Sequence, residues 1–171
     1  MVSDKSPTAM WFSTWVQRLV AGPLFTGGGT DAVSDYRKPL PVIDDLSRPF
    51  WEHAKAHRLV VQCCDDCGDH HFPASPVCPK CLSSTQSWRV VSGRATLVSW
   101  AVFHRAYWDA YRDDLPYDVC VVQLEEGPLL VSNFEAGVPP DVRAGMPLEV
   151  TFVGVTPDVT LTKFRPSTPA S

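Results

Sequence analysis

The sequence predicts a mainly β protein in three parts: a helical N-terminal segment, a short metal-held ribbon, and a small closed or partly open barrel. Three observations carry this. Four cysteines stand in two tight pairs, Cys64-Asp-Asp-Cys67 and Cys78-Pro-Lys-Cys81. Sixteen prolines in 171 residues argue against a mostly helical body, because an interior proline removes a donor and collides with the preceding turn. From Ala95 onward, short β-branched and aromatic runs alternate with turn residues, as strands joined by tight connections do. An apolar fraction of 44% supports a real core.

Composition divides the chain at 1–40, 41–92 and 93–166, with a short tail at 167–171. In the first part, Met10–Val20 places Trp11, Trp15 and Leu19 near Phe12 and Val16 on one helical face, with Ser13, Thr14, Gln17 and Arg18 opposite. Gly27-Gly28-Gly29 then reads as a tether. Such a helix can dock on a partner, pack on its own domain, or remain a poorly ordered extension. In the second part, Asp45-Leu-Ser47-Arg-Pro49 supplies cap residues and an early proline for a short helix through about Ala56. Leu59-Val-Val-Gln62 leads as a strand into the first cysteine pair, and Pro73, Pro76 and Pro79 keep the stretch between the pairs extended.

The spacing C-x2-C, ten residues, C-x2-C is long enough to bring both pairs to one tetrahedral ion, and Gly68 supplies the permissive φ that such a turn favours. Four thiolates suit zinc and fill its coordination sphere, so the ion is expected to be structural, with no open position for catalysis. Iron and two disulfides are the competing uses of the same residues. Cys63 abuts the first pair and offers a second register, although C-x-x-C with Cys67 favours Cys64. Cys120, inside an apolar run, reads as a small buried hydrophobe. His70 and His71, between the pairs, read as surface histidines.

In the third part, Ala95–His104 is β-branched and aromatic on both faces, as a buried barrel strand would be. Tyr117–Leu124 and Leu129–Asn133 form a hairpin about Glu126-Gly127. Val138–Gly145 is a polar connection with room for one helical turn. Leu148–Val155 alternates cleanly, and Val159–Phe164 supplies the closing strand. Five short strands with a long excursion between Arg105 and Tyr117 predict an OB-fold.

The net charge of −4 and pI near 5.7 weigh against nucleic-acid binding, which needs a basic surface. No run approaches the ~18–20 apolar residues of a membrane span, and Arg18 interrupts the only segment resembling a leader. A cytoplasmic location is expected.

The order of local motifs is itself informative. Ser47-Arg-Pro-Phe-Trp-Glu52 precedes Leu59-Val-Val-Gln-Cys-Cys-Asp-Asp-Cys-Gly68, Phe72-Pro73 and Cys78-Pro-Lys-Cys81. Trp88-Arg-Val-Val-Ser-Gly-Arg94, Val102-Phe-His-Arg105, Pro116-Tyr117, Gly145-Met-Pro-Leu-Glu-Val150 and Phe164-Arg-Pro166 follow. Over about 45–166 this resembles the DUF35 family, which joins a rubredoxin-like zinc ribbon to an OB-fold and is associated with acyl-CoA metabolism. The resemblance carries zinc binding to Cys64, Cys67, Cys78 and Cys81. It implies a non-catalytic or co-catalytic subunit that associates with a thiolase-like enzyme (a thiolase, an acyltransferase or a steroid side-chain aldolase) in a hetero-oligomer. Leu82, where the family usually has glycine, is a departure expected to make the second turn less relaxed. Ala95 and Cys63 also depart from the usual residues.

No nucleophile–base–orienter set and no Gly-rich phosphate cradle emerge, so no catalytic residue is assigned. The best candidates for CoA contact are His104, Arg105, Tyr107 and Trp108, where aromatic and basic side chains meet at the barrel mouth, and Arg165 in the closing Phe-Arg-Pro motif. Arg94, Arg143 and Lys163 are weaker anion candidates. A single-stranded nucleic-acid binder with Trp100, Phe103 and Trp108 as stacking platforms is the alternative from another class.

Overall fold

The computed structural model describes residues 36–167. The helix expected at Met10–Val20 and the glycine tether therefore lie outside the described residues. The chain divides into two compact units, 1–42 and 43–171. Of the first, residues 36–42 are described and contain no helix or strand.

The second unit opens with helix α1, Arg48–Lys55. Pro49 sits in its first turn, where a missing N–H costs nothing. Ser47 occupies the N-cap without capping through its side chain. The polar clasp lies one turn earlier: the Ser47 N–H and Oγ–H donate to Asp44 Oδ1 at 2.8 and 2.6 Å. Phe50 and Ala54 form the buried stripe of this helix.

Strand β1, Val60–Cys64, is buried along its whole length. It pairs with β2, His70–His71, on one side and with β3, Gln86–Val90, on the other, making an antiparallel three-stranded ribbon. The barrel follows as β4 (Arg94–Phe103), β5 (Tyr117–Leu124), β6 (Leu129–Ser132), β7 (Pro147–Gly154) and β8 (Thr160–Pro166). Its order is β6-β5-β4-β7-β8, and a parallel bridge between Phe134 and Phe164 links the two edges. This five-stranded, curled sheet is the expected OB-fold. A 3-10 helix at Asp109–Asp114 occupies the long excursion, whereas Val138–Gly145 forms turns and no helix.

Ribbon and barrel share one core. Phe50, Leu59, Val60 and Val61 pack in the same cluster as Leu97, Val122, Leu124, Leu148 and Phe164. The splice between them is rigid: the Val91 N–H donates to Leu59 O at 3.0 Å, and the Val150 N–H to Gly93 O at 2.8 Å. Gly93 has φ +75°, and a side chain there would run into Val150 Cγ1. Only glycine fits both conditions.

One expectation fails in an instructive way. Strand β4 is not buried on both faces: Ala95 and Leu97 are buried, but every residue from Val98 to Val102 is exposed. The cause is topological. Strand β7 pairs with β4 only from Arg94 to Thr96, so β4 outruns the barrel.

Among the described residues, Asp118 on β5 is the one buried Asp, Glu, Lys or Arg. Its Oδ2 accepts the Phe134 N–H at 2.8 Å, and its own carbonyl accepts a short bond from Asn133 Nδ2. Burial outweighs the Phe134 N–H and the charge of Lys163, raising this carboxyl above its ordinary 3.8. The folded chain thus holds this proton more tightly than the unfolded chain. Its stabilising contribution is complete below the unfolded value and is lost as pH rises through the folded one. Asp118→Asn keeps an acceptor for Phe134, so its urea-unfolding free energy should exceed that of the wild type at neutral pH. The two should converge toward pH 4; equal stabilities throughout would contradict the raised value.

Candidate metal centre and barrel mouth

The two cysteine pairs sit on two turns of matching construction. In the first, the Gly68 N–H donates to Cys64 O and the Cys64 N–H to Asp69 O; in the second, Leu82 donates to Cys78 O and Cys78 to Ser83 O. All four bonds are 2.8–2.9 Å. Gly68 and Leu82 occupy the equivalent left-handed position, at φ 72° and 63°. Leucine there carries the strain expected of it, since Cβ crowds the following carbonyl. Its side chain is 74% exposed, so little packing offsets that strain. Leu82→Gly should raise stability by about 0.5–1 kcal/mol, relief of ~1–2 less the glycine's chain entropy. Calorimetry on the zinc-loaded protein reads this directly, and a lower melting temperature would refute it.

The four sulfurs converge. Cys64 and Cys81 Sγ stand 3.5 Å apart, Cys67 and Cys78 Sγ 3.7 Å apart, and all four lie within 4.8 Å of one another. Sulfurs ~2.3 Å from a central zinc would stand about 3.8 Å apart along a tetrahedral edge, so the cage fits that ion. It does not fit disulfides, whose sulfurs approach to about 2.05 Å. Cys63 stays outside the cage, its thiol directed to Cys64 O at 3.8 Å, which fixes the ligand register on Cys64.

Without a cation the four groups frustrate one another. The Asp69 N–H favours a Cys67 thiolate, but burial and three neighbouring sulfurs overcome it and push that thiol up to about 12. Burial also opposes ionisation of Cys78, yet the N–H groups of Cys81 and Lys80 and the adjoining thiols bring it down to about 7. A divalent cation removes this conflict by taking the place of the protons. It would supply no reactive water, because four thiolates complete its shell.

His71 corrects the surface reading. Strand β2 pairs it with Gln62, leaving it 7% exposed and close behind the cage, near Asp69 and Cys78. Neither ring nitrogen has a hydrogen-bond partner among the described residues. His70 remains half-buried. Cys120 is fully buried, and burial followed by the nearby Asp118 pushes its thiol up to about 12, matching the inert reading.

At the far end of β4 the expected aromatic and basic mixture assembles. Phe103 stacks on Tyr117 at 5.1 Å, Tyr107 meets Phe103 edge-on at 6.1 Å, and Tyr111 joins Tyr117 to Trp108. Arg105 Cζ lies 5.9 Å over the Tyr107 ring, and no carboxylate among the described residues pairs with it. Arg112 is held by Asp109 at 2.8 Å. His104 is exposed beside Arg105.

Arg165 is elsewhere. It pairs across β7 with Glu149, whose neighbour on β4 is Arg94, at the opposite end of that strand from His104. Its Nε donates to Glu149 at 2.7 Å, beside a shallow depression of about 230 Å³ lined by Phe134–Pro140 and Phe164–Pro166. Arg94 is likewise bound by Glu125 at 2.7 Å, and Arg143 lies 3.7 Å from Asp141. An anion at any of these three would have to displace a carboxylate. Among the described residues, no helix is long and apolar enough to cross a membrane.

Known proteins match this architecture part by part. Residues 51–86 match the family described as the ChsH2 rubredoxin-like zinc ribbon domain, and 88–153 the ChsH2 C-terminal OB-fold domain. A "Probable enoyl-CoA hydratase alpha subunit" of Thermomonospora curvata is 33% identical over 132 residues, 77% of this chain. The chain spans only 41% of that relative's length. A "DUF35 domain-containing scaffold protein" of Methanocaldococcus jannaschii is 30% identical over 110 residues, covering 63% of this chain and 77% of that one. Among solved structures, a chain of the "Ltp2-ChsH2(DUF35) aldolase" is 33% identical, covering 74% of this chain and 98% of its own, with a TM-score of 0.66. With its four-sulfur ribbon spliced to a five-stranded barrel, the chain belongs to the DUF35 family.

Proposed function

We propose that this protein is a zinc-stabilised accessory subunit that associates with a thiolase-like enzyme and supports acyl-CoA binding, the partner supplying the residues that make or break the carbon–carbon bond. The observation that carries this reading is the match to nearly the whole length of the DUF35 chain of an aldolase assembly. The metal cage agrees with it, since its chemistry is closed. Cys120, the most buried thiol outside the cage, is held neutral.

CoA contact is assigned to His104, Arg105, Tyr107 and Trp108. Arg105 carries a charge that no described carboxylate satisfies, and the exposed Tyr107 ring offers a face for a base. Arg165 lies too far along the barrel to serve the same ligand headgroup, and any part it plays is separate. The open, shallow depression beside it does not enclose a ligand, so a CoA site is completed by the partner.

Native mass spectrometry tests the reading on the full chain co-expressed with the thiolase-like subunit encoded nearest to it. A zinc-containing hetero-oligomer is expected, with acyl-CoA affinity at least about tenfold above that of either component, equivalent to ~1.4 kcal/mol. Salt-sensitive binding of an oligonucleotide, with no complex and no CoA ester binding, would favour the nucleic-acid alternative instead.

A further inference from the structure

We infer that the open edge of β4, Val98–Phe103, receives an extended strand of the thiolase-like partner by backbone pairing, an inference that rests on the accessory-subunit reading above. On one side, β4 is paired with β5 all the way to Phe103. On the other, β7 leaves after Thr96, and Leu97 makes the last contacts, donating to Met146 O at 2.9 Å and accepting from Gly145 at 2.8 Å. Beyond Leu97, that edge makes no backbone hydrogen bond to another described residue. Six residues at about 3.3 Å each leave a free lane of roughly 20 Å, the length of an ordinary strand.

Past Val98, nothing guards this lane. Exposed edges are normally blunted by lysine, proline, inward charge or a bulge. Val98-Ser-Trp-Ala-Val-Phe103 contains no charge and no proline, and the bulge between Leu97 and Ser99 falls on the lane's first residue, leaving Ser99–Phe103 in regular register with β5. Val98, Trp100 and Val102 are 43%, 37% and 41% exposed. Leaving such a segment unpaired invites aggregation, whereas pairing it satisfies the backbone and covers the apolar side chains together.

The same features define the occupant. A row of backbone donors and acceptors selects another strand. The uncharged, apolar flank selects apolar residues at alternate positions of that strand. Arg105 lies just past the lane without a carboxylate among the described residues, so a strand end without lysine or arginine suits it and leaves the guanidinium open to the CoA contact proposed above. A second copy fits less well. In-register antiparallel pairing of two such edges sets each His104–Trp108 loop against the Gly145–Met146 turn that closes the lane. The related aldolase chain also comes from an assembly named for a second component, Ltp2. Strand addition here would bring the partner alongside His104–Trp108, where CoA contact is proposed.

Hydrogen exchange on the full chain, alone and in complex with that subunit, tests this. Alternate amides of Val98–Phe103 should exchange fast in the free chain and slow by at least about tenfold in the complex. The double variant V98K/V102K should weaken the complex by at least about tenfold, while Val90→Lys, at an exposed apolar site on β3, should not. The lysine variants must keep the wild-type zinc content and melting temperature. A complex that forms with the lane still exchanging fast overturns the inference and leaves the accessory-subunit reading standing. Protection already present in the free chain, or a homodimer lost in V98K/V102K, overturns it in favour of self-coverage. If the wild type forms no complex at all, both fall.

Discussion

Replacing Cys78 by serine, or stripping the metal with a chelator, is expected to unfold the whole unit from residue 43 onward, not the ribbon alone. Cys78 is fully buried, and its backbone anchors the second turn. A structural zinc contributes apparent binding energies of ~10–16 kcal/mol at neutral pH, against ~5–15 kcal/mol for the net stability of a domain. Losing the ion therefore removes as much as the fold possesses. The damage spreads because β1 runs from the barrel's core directly into the cage: Val60 and Val61 pack beside Leu97 and Leu148, and Cys64 ends the same strand. Metal analysis paired with circular dichroism checks this. One cooperative transition lost together with the metal is expected. A metal-free Cys78→Ser protein with an unshifted melting temperature would show that the ion is dispensable. Acidification should act in the same direction, because the ligands hold the ion only as thiolates.

Phe164→Ala is expected to have the next largest effect. Phe164 is fully buried at the seam where the barrel closes. Its N–H donates to Asn133 O at 3.0 Å, its carbonyl accepts from Glu135 at 2.9 Å, and its side chain belongs to the same buried cluster as Phe134. Truncating a buried phenylalanine to alanine costs ~3–5 kcal/mol through lost transfer energy and the cavity left behind. The melting temperature should fall by roughly 10–20 °C. Zinc content should persist in the folded fraction, because the ribbon's own turns are untouched. That pairing separates this variant from Cys78→Ser, and a shift below about 5 °C would mean that the seam relaxes around the gap.

The metal cage was legible in the sequence because it depends on spacing alone: two residues inside each pair and ten between them suffice to place four sulfurs. Helix α1 was legible from its early proline, Pro49, and the polar residues Asp45 and Ser47 before it. Strand β2 was not, since two residues carry no periodicity and exist as a strand only through pairing with Gln62 and Cys63. His71 was misread for the same reason, its burial coming from that pairing. The exposure of β4 was hidden differently. An apolar run buried on both faces and one waiting for an outside strand have the same composition, and only the departure of β7 at Thr96 tells them apart. Arg165 and His104 sit in family motifs of equal promise, yet the sheet register sets Arg165 on β8 level with Arg94, at the other end of β4 from His104. Register of that kind is a long-range property, set by the whole barrel and by no local pattern.

Of the four sulfurs, Cys64 and Cys78 are buried and Cys67 and Cys81 exposed, so each hairpin contributes one inner and one outer ligand. An oxidant or competing chelator arriving from solvent meets one sulfur of each hairpin first. After both outer bonds break, the ion is still tethered to both hairpins through the inner pair. Demetallation by an oxidant should consequently be biphasic, with a partly dissociated state in which Cys67 and Cys81 are oxidised and from which thiol reductants would restore the intact centre.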